Sequence, residues 1–472
     1  MSYRKKTYYN EQKVCEKRCV TMRMKQNKDY LLNGTLWKTI LMLAIPIVVN
    51  NFIQTMYNLT DSYWLGKIGT DPQSAITVVS PIQSIIVNFG TGITVAGAIL
   101  ISQYLGAKDE KNAKTMVGQL FASCMIFSVV CAAICFLLTP ALVGWLAGGE
   151  SFYSMAVTYL RIVILDMPFL FTINIFTAVN QSQGDTVKPM FLNLFGIILN
   201  MILDPLFMIG FDWGIAGAAL ATLLAKVPCA LIALYSLCNS KKNLYITKES
   251  LKIQKDKLKS IAKIGLPTAI GGSTMQLGFL LMTSNVIKYG STAVSAYGIG
   301  NRVNGLISMP ANAMGSAVAT IVGQCVGARD QVRAQKAYLL ARRIAVIFLF
   351  VGGLILSRNA VSEPIVRIFS DDPEVIRLGT DFLQLMAFWC FTNGIYNTTN
   401  GLHQGSGHTM INMTIDATRL WVFRLATLFV CERLLHMGVE SIWYAVVVSN
   451  GISAAILWMI YKMGIWKKQV IS

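Results

Sequence analysis

The chain has 472 residues, 54% hydrophobic and only 14% charged, with a mean hydropathy of +0.53. Soluble domains carry roughly 25% charged residues, so a water-facing globular surface is excluded and an integral membrane protein is implied. The formal net charge of +18 does not signal a nucleic-acid partner, because the basic residues cluster in the links between apolar runs.

Residues 1–35 form a basic arm rich in Lys, Arg, Tyr and Gln, too polar to be a signal peptide and expected to be flexible. Met22 and Met24 are alternative starts within it. A bilayer core of about 30 Å takes about 20 apolar residues per helix, and twelve runs follow that qualify. They cover 37–66, 74–105, 116–140, 152–182, 188–210, 214–238, 260–287, 294–326, 337–357, 375–405, 410–432 and 439–462. The longest are expected to tilt or break. Pro46, Pro168, Pro267 and Pro310, with Gly90, Gly92 and Gly97, are the places for bends. The fold class that results is all-α and integral to the membrane, with twelve transmembrane helices in two pseudo-symmetric six-helix lobes. The organisation is an arm (1–35), an N-lobe (36–238), a basic linker (239–259), a C-lobe (260–462) and a short tail (463–472). With a cytoplasmic N-terminus, the inner segments hold 29 Lys/Arg and the outer loops six. That asymmetry is the positive-inside pattern and predicts both termini inside, in a bacterial plasma membrane.

The chain is also duplicated. SQYLGAKDEKNA around Gln103 recurs as GQCVGARDQVRA around Gln324, and Pro46 falls on Pro267 and Gly69 on Gly290 at the same offset of 221. Duplicated hydrophobic halves are how many transporters build two lobes around a path. The acids are not duplicated. Asp61 maps onto Met282, and with a two-residue insertion Asn200 and Asp204 map onto Phe423 and Thr427.

Charges inside a membrane are costly, and several at one depth mark a site. At about 1.5 Å rise per residue, Asp61, Tyr159, Asn200, Asp204 and Thr222 all fall roughly 7–15 Å below the outer interface. Two carboxylates close together in an apolar pocket require a proton or a cation between them. Oxygen ligands of this kind suit Na⁺ or H⁺ rather than a soft metal. Pro205 leaves the Met201 carbonyl without its helical donor. Lys226, one turn deeper than Thr222, is expected to pair with Asp166 or Asp204, and Asp166 and Arg161 form a candidate structural pair. In the second half Asn393, Asn397 and Asn400 share a helix face, and Asn397 matches Asn174. These residues, with Gln276, are the candidate substrate-cavity set, although a hydrogen-bond seam between helices fits the same spacing. The ten cysteines and three histidines form no metal or disulfide pattern.

LAIPIVVNNFIQTMYNLTDSYWLGKIGT (43–70), the GAKD and GARD turns, TYLRI (158–162), NMILDPLF (200–207) and GAALAT (217–222) together resemble the multidrug and toxic compound extrusion (MATE) family, nearest to its bacterial DinF/MepA-like branch. The resemblance covers about residues 31–465. It implies two six-helix lobes facing across a central cavity that opens alternately inward and outward. It also implies export of amphipathic, usually cationic, drugs against inward flow of Na⁺ or H⁺, with no other cofactor. The same likeness assigns the coupling cation to Asp61, Asn200 and Asp204, with Thr222 and Tyr159 in the same cluster. The chain departs from the NorM-like pattern in lacking an acid on its seventh helix, and Asp381 is the only acid of the tenth.

The function read from these residues is a cation-coupled secondary antiporter, working as a monomer on small amphipathic substrates among membrane lipids. The rival is a flippase or exporter of a lipid-linked or other anionic amphiphile on the same scaffold, for which Arg302, Arg419 and Arg424 are the candidate contacts. No nucleophile–base pair, zinc motif or phosphate loop suggests an enzyme, and no pore-loop signature suggests a channel.

Overall fold

The computed structural model describes residues 30–239 and 244–468. Most of the basic arm, Cys15, Cys19, Met22 and Met24, part of the linker and the last four residues lie outside the described residues. The elements in chain order are helices. α1 (Leu36–Ile68), α2 (Thr70–Gly106) and α3 (Glu110–Ala147) are continuous. α4 is split into α4a (Tyr153–Ile164) and α4b (Met167–Ser182). α5 (Val187–Pro205) is extended by a wide π turn (Leu206–Gly210), and α6 (Gly214–Asn239) ends the first half. The second half repeats this order with α7 (Lys255–Ile287), α8 (Ser291–Gly327) and α9 (Gln331–Leu356). A short helix, Asn359–Arg367, precedes α10a (Pro373–Trp389) and α10b (Phe391–Gly405). α11 begins as Thr409–Thr418 and passes through π turns at Arg419–Arg424 and Val430–Leu434, and α12 is Glu440–Lys462.

Among the described residues, nine of these helices are long and apolar enough to cross a membrane, and the α4a–α4b pair, bent by 45°, makes a tenth. α10 and α11 do not meet that standard. α10 is interrupted at Cys390 and then carries Asn393, Asn397 and Asn400, while α11 carries Asp416, Arg419 and Arg424 among its π turns. Large apolar side chains on the rim, such as Leu137 at 76% and Ile347 at 63% exposure, face outward as a lipid-contacting surface does.

The helices do not end at Pro46 and Pro267. Both prolines lie inside continuous helices. Each removes the amide donor for the carbonyl four residues back, Met42 for Pro46 and Lys263 for Pro267; a threonine reaches the first directly and the neighbour of the second. Thr186 donates to the Met42 carbonyl at 3.5 Å, and Thr409, its equivalent at an offset of 223, donates to the Ile264 carbonyl at 2.8 Å. Hydroxyls that satisfy stray carbonyls let proline sit inside a membrane helix. The interruptions occur instead at Leu165–Asp166, just before Pro168, and at Cys390.

The duplicated turns reproduce one another to the hydrogen bond. Lys108 and Arg329 are non-glycine residues in the left-handed region, both at φ 60°. Each lies after a helix end closed by bonds from Asp109 N to the Tyr104 carbonyl (2.9 Å) and from Asp330 N to the Cys325 carbonyl (2.8 Å). The Asp109 and Asp330 carboxylates then cap α3 and α9, accepting from Asn112 N at 3.0 Å and Arg333 N at 2.9 Å. The Asn112 side chain and amide hold the exposed Asp109 carboxyl below the usual carboxylate range.

Beside these turns the two halves meet backbone to backbone. A Cβ on Gly106 would stand 1.9 Å from the Gln324 carbonyl oxygen, and one on Gly327 would stand 1.9 Å from that of Gln103. The same glutamines cross the seam by their side chains. Gln103 donates to the Gly405 carbonyl at 3.0 Å and Gln324 to the Ser182 carbonyl at 2.7 Å. Other close approaches between the halves, Gly92 to the Gly265 carbonyl, Gly272 to Asn88 and Gly323 to Ser102, lie towards the same end of the bundle. That end also holds the linker. Buried Gln119 on α3 donates to the carbonyls of Ser250 (2.7 Å) and Lys252 (2.6 Å) and accepts from Gln254 N (2.8 Å).

Gly106→Ala and Gly327→Ala therefore each force the seam apart, at about 1–3 kcal/mol for an overpacked contact. Thermal unfolding of the purified protein in detergent should show both variants melting below wild type. Gly352→Ala, where a Cβ meets nothing within 4 Å, should melt no lower than wild type.

Candidate functional site

α1 carries a polar stripe at helical spacing. Asn50, Gln54, Tyr57, Asn58 and Asp61 recur every three or four residues and so share one face. That face forms one wall of a cavity of about 610 Å³ inside the first half. α2 adds Ser80 and Gln83, α4 adds Tyr159 and Asn174, α5 adds Asn193 and Asn200, and α6 adds Thr222 and Lys226. Asp61, Tyr159, Asn200 and Thr222 thus line one space.

Asp204 stands directly behind Asn200, fully buried. Its Oδ1 accepts from the Asn200 amide at 2.6 Å, whereas Oδ2 is buried with no partner. Asp61 and Asp204 lie within electrostatic reach of each other, and the Tyr57 hydroxyl lies beside Thr222 and within reach of both acids. Pro205 follows Asp204 and cannot donate to the Met201 carbonyl, and the chain widens there into the π turn. A carboxylate oxygen enclosed by apolar protein with no donor is an unfinished site, which a proton or a hard cation completes. The donor set is all oxygen, and it fits Na⁺ or H⁺ on that ground.

Lys226 is already paired. Its Nζ lies 2.5 Å from Asp166 Oδ2, with side-chain exposures of 24% and 2%. The candidate Arg161–Asp166 pair does not form. Arg161 instead places its guanidinium 5.3 Å from the Phe136 ring, with a buried Nε that has no partner. Asp166 stands at the broken start of α4b without capping it, and its carboxylate faces Lys226 across the bundle rather than Arg161.

The second half has its own cavity, about 260 Å³, lined from α7, α8, α10, α11 and α12. Asn393 and Asn397 line it, and Asn174 lines the first cavity. Asn400 lines neither, because its side chain accepts from Asn412 at 2.9 Å as part of a seam between helices. Gln276 lines neither cavity, because the α7 positions facing the second one are Met275 and Phe279. Arg419 and Arg424 line the second cavity, while Arg302 is exposed. Asp381 lies on the surface, 4.0 Å from Arg377. The polar lining residues that the depth argument missed are Asn50, Gln54, Tyr57 and Asn58 on α1, Ser80 and Gln83 on α2, and Asn193 on α5. For α1 and α5 the signal was legible as the four-residue polar period on α1 and the Asn193–Asn200 stripe on α5.

The comparisons bear on family and fold. The MatE family profile matches twice, over residues 46–206 and 267–430, once in each half. "Probable multidrug resistance protein YoeA" of Bacillus subtilis is 24% identical over 446 residues, covering 93% of this chain and 96% of that protein. "Multidrug export protein MepA" of Staphylococcus haemolyticus is 22% identical over 436 residues, covering 92% and 95%. The crystal structure of a Vibrio cholerae MATE transporter, VcmN, superposes with a TM-score of 0.87 at 22% identity, over 92% of this chain and 98% of that one, and shares its fold. With both halves matched and the helices of a multi-pass membrane protein in place, this chain belongs to the MatE family, whose members are membrane transporters and not enzymes.

Proposed function

We propose that this protein is a cation-coupled antiporter that exports amphipathic, cationic small molecules by alternating access between its two halves, 36–238 and 260–462. It sits in a bacterial plasma membrane with both termini cytoplasmic, and a single chain carries both halves of the path. The observation that carries this reading is the buried, unpartnered Oδ2 of Asp204 behind a cavity wall of oxygen ligands. The names of its relatives, multidrug resistance and multidrug export proteins, support a drug-like substrate.

Asp61, Asn200 and Asp204 would hold the coupling ion, whose positive charge lets two acids share one apolar pocket. Without it, Asp61 on α1 and Asp204 on α5 repel when both are ionised. Neutralised, they allow the α1 stripe to draw towards α5. Because that stripe is a wall of the drug cavity, its position sets how well a cationic amphiphile fits. A coupling ion drives transport only through unequal affinity for the two arrangements, and a swing from 1:99 to 99:1 takes about 5.5 kcal/mol. The seam at Gly106 and Gly327 is closed, so the described arrangement is read as open to the opposite, outer side.

In liposomes, wild type should exchange a cationic dye when either a Na⁺ gradient or a pH gradient is imposed, and whichever gradient works names the ion. Asp61→Asn and Asp204→Asn should each bring that exchange to background; full exchange by both variants rejects the mechanism. Lys226, held by Asp166, is read as structural and not as a competitor for the acid pair. Lys226→Met leaves Asp166 buried and alone, which costs about 3–5 kcal/mol for a buried pair, at the lower end here because the ammonium is partly exposed. The single variant should melt well below wild type, and adding Asp166→Asn should restore much of the loss.

A further inference from the structure

The two cavities occupy equivalent places in the duplicated halves. At the offset of 221, Gln54 falls on Met275, Asn58 on Phe279, Ser80 on Asn301 and Gln83 on Asn304. At 223, Asn174 falls on Asn397 and Gly196 on Arg419. The scaffold is thus the same, but the charge is reversed. The first cavity is walled by Asp61 and backed by Asp204, whereas no carboxylate lines the second, which presents Arg419 and Arg424.

Both arginines are buried, at 6% and 8% exposure. Arg424 has only neutral acceptors, Ser449 Oγ and the Asn450 side-chain oxygen, each at 3.1 Å, and no carboxylate within 4.0 Å among the described residues. Arg419 stacks on the Tyr396 ring at 4.4 Å and lies 3.8 Å from Asp416, and its buried Nε has no partner. Asp416 also accepts from the Tyr396 hydroxyl, so this one acid is shared and stands behind the cavity wall. It offsets Arg419 and leaves Arg424 without a counter-charge. A buried guanidinium without a counter-ion is expensive, and its planar fork fits a carboxylate in two parallel hydrogen bonds. Phe279, 44% exposed on the same wall, supplies a ring for an aromatic body, and Tyr297 backs it, stacked in turn on Phe382 and Trp443.

We propose that the second-half cavity is an anion subsite that binds the carboxylate of an aromatic organic acid, or of a zwitterion, as transported substrate. It rests on the transporter reading and extends it, since the substrates of this chain then include carboxylates as well as cations. Binding in detergent involves no ion gradient, so failure here leaves the coupling test of Asp61 and Asp204 standing, and the converse holds.

The probe is benzoate, titrated against the purified full chain and followed by thermal shift and tryptophan quenching, with benzylammonium as the cation of equal size. Saturable stabilisation by benzoate is expected, weakened at least tenfold in Arg424→Gln, partly retained in Arg424→Lys, and unchanged in Gly352→Ala. Asn301→Phe, which fills the cavity without touching either arginine, should also block it and keeps the test open should Arg424→Gln fail to fold. Absence of saturable benzoate binding to wild type, or equal binding by Arg424→Gln and Asn301→Phe, overturns the proposal. An Arg424-dependent effect seen only with phosphatidylglycerol nanodiscs, and not with benzoate, also overturns it, because the occupant is then a lipid headgroup.

Discussion

A charge inside an apolar slab must find a counter-charge or a dense set of hydrogen bonds, and that constraint orders this molecule. Where the chain spends a buried ion on structure, it closes the pair inside the protein, as Lys226 does with Asp166. Where it leaves a group open, at Asp204 Oδ2 in one half and at Arg424 in the other, the described residues supply no counter-charge or donor, and that is where we place an incoming partner. The same constraint governs the backbone. Pro46 frees the Met42 carbonyl, and the Thr186 hydroxyl meets it; Thr409, the equivalent residue, bonds to Ile264, beside the carbonyl whose helical donor Pro267 removes.

The second element of the design is the close approach of the two halves at one end. Glycine at 106 and 327 lets peptide groups touch across the seam, and Gln103 and Gln324 fasten it with side-chain bonds to opposite helix ends. Packing of backbone on backbone through small residues suits a membrane interior, where lipid tails are as apolar as leucine and helices gain little by hiding from them. The seam also has an apolar part, in which Ile40, Leu43 and Ala44 of α1 share one buried cluster with Ala317, Val318 and Ile321 of α8.

Duplication supplies a scaffold in which the two cavities can diverge independently. Each is walled by matching positions of matching helices, yet one ended with oxygen acceptors and the other with guanidinium donors. Gly196 in the first half and Arg419 in the second stand at the same place. Side chains lining a cavity can change without disturbing the lipid face or the seam, since they touch neither.

Composition, the 221-residue repeat and the depth of its polar residues were enough to read an all-helical membrane protein in two copies. They also brought Asp61, Tyr159, Asn200, Asp204 and Thr222 to one level. These properties are local: hydropathy and helical rise act along the chain, so they are written in it. The sequence was silent on partner choice, because a helix periodicity places a side chain on a face without saying which neighbour it meets. Only the packed bundle decided that Lys226 takes Asp166 and leaves Arg161 on a phenyl ring, and that Asn400 joins a seam while Asn397 lines a space. It also decided that α4 and α10 break near Asp166 and Cys390 while α1 and α7 remain unbroken helices across Pro46 and Pro267. Those outcomes depend on contacts between residues far apart in the chain, and such distances exist only once the helices are assembled.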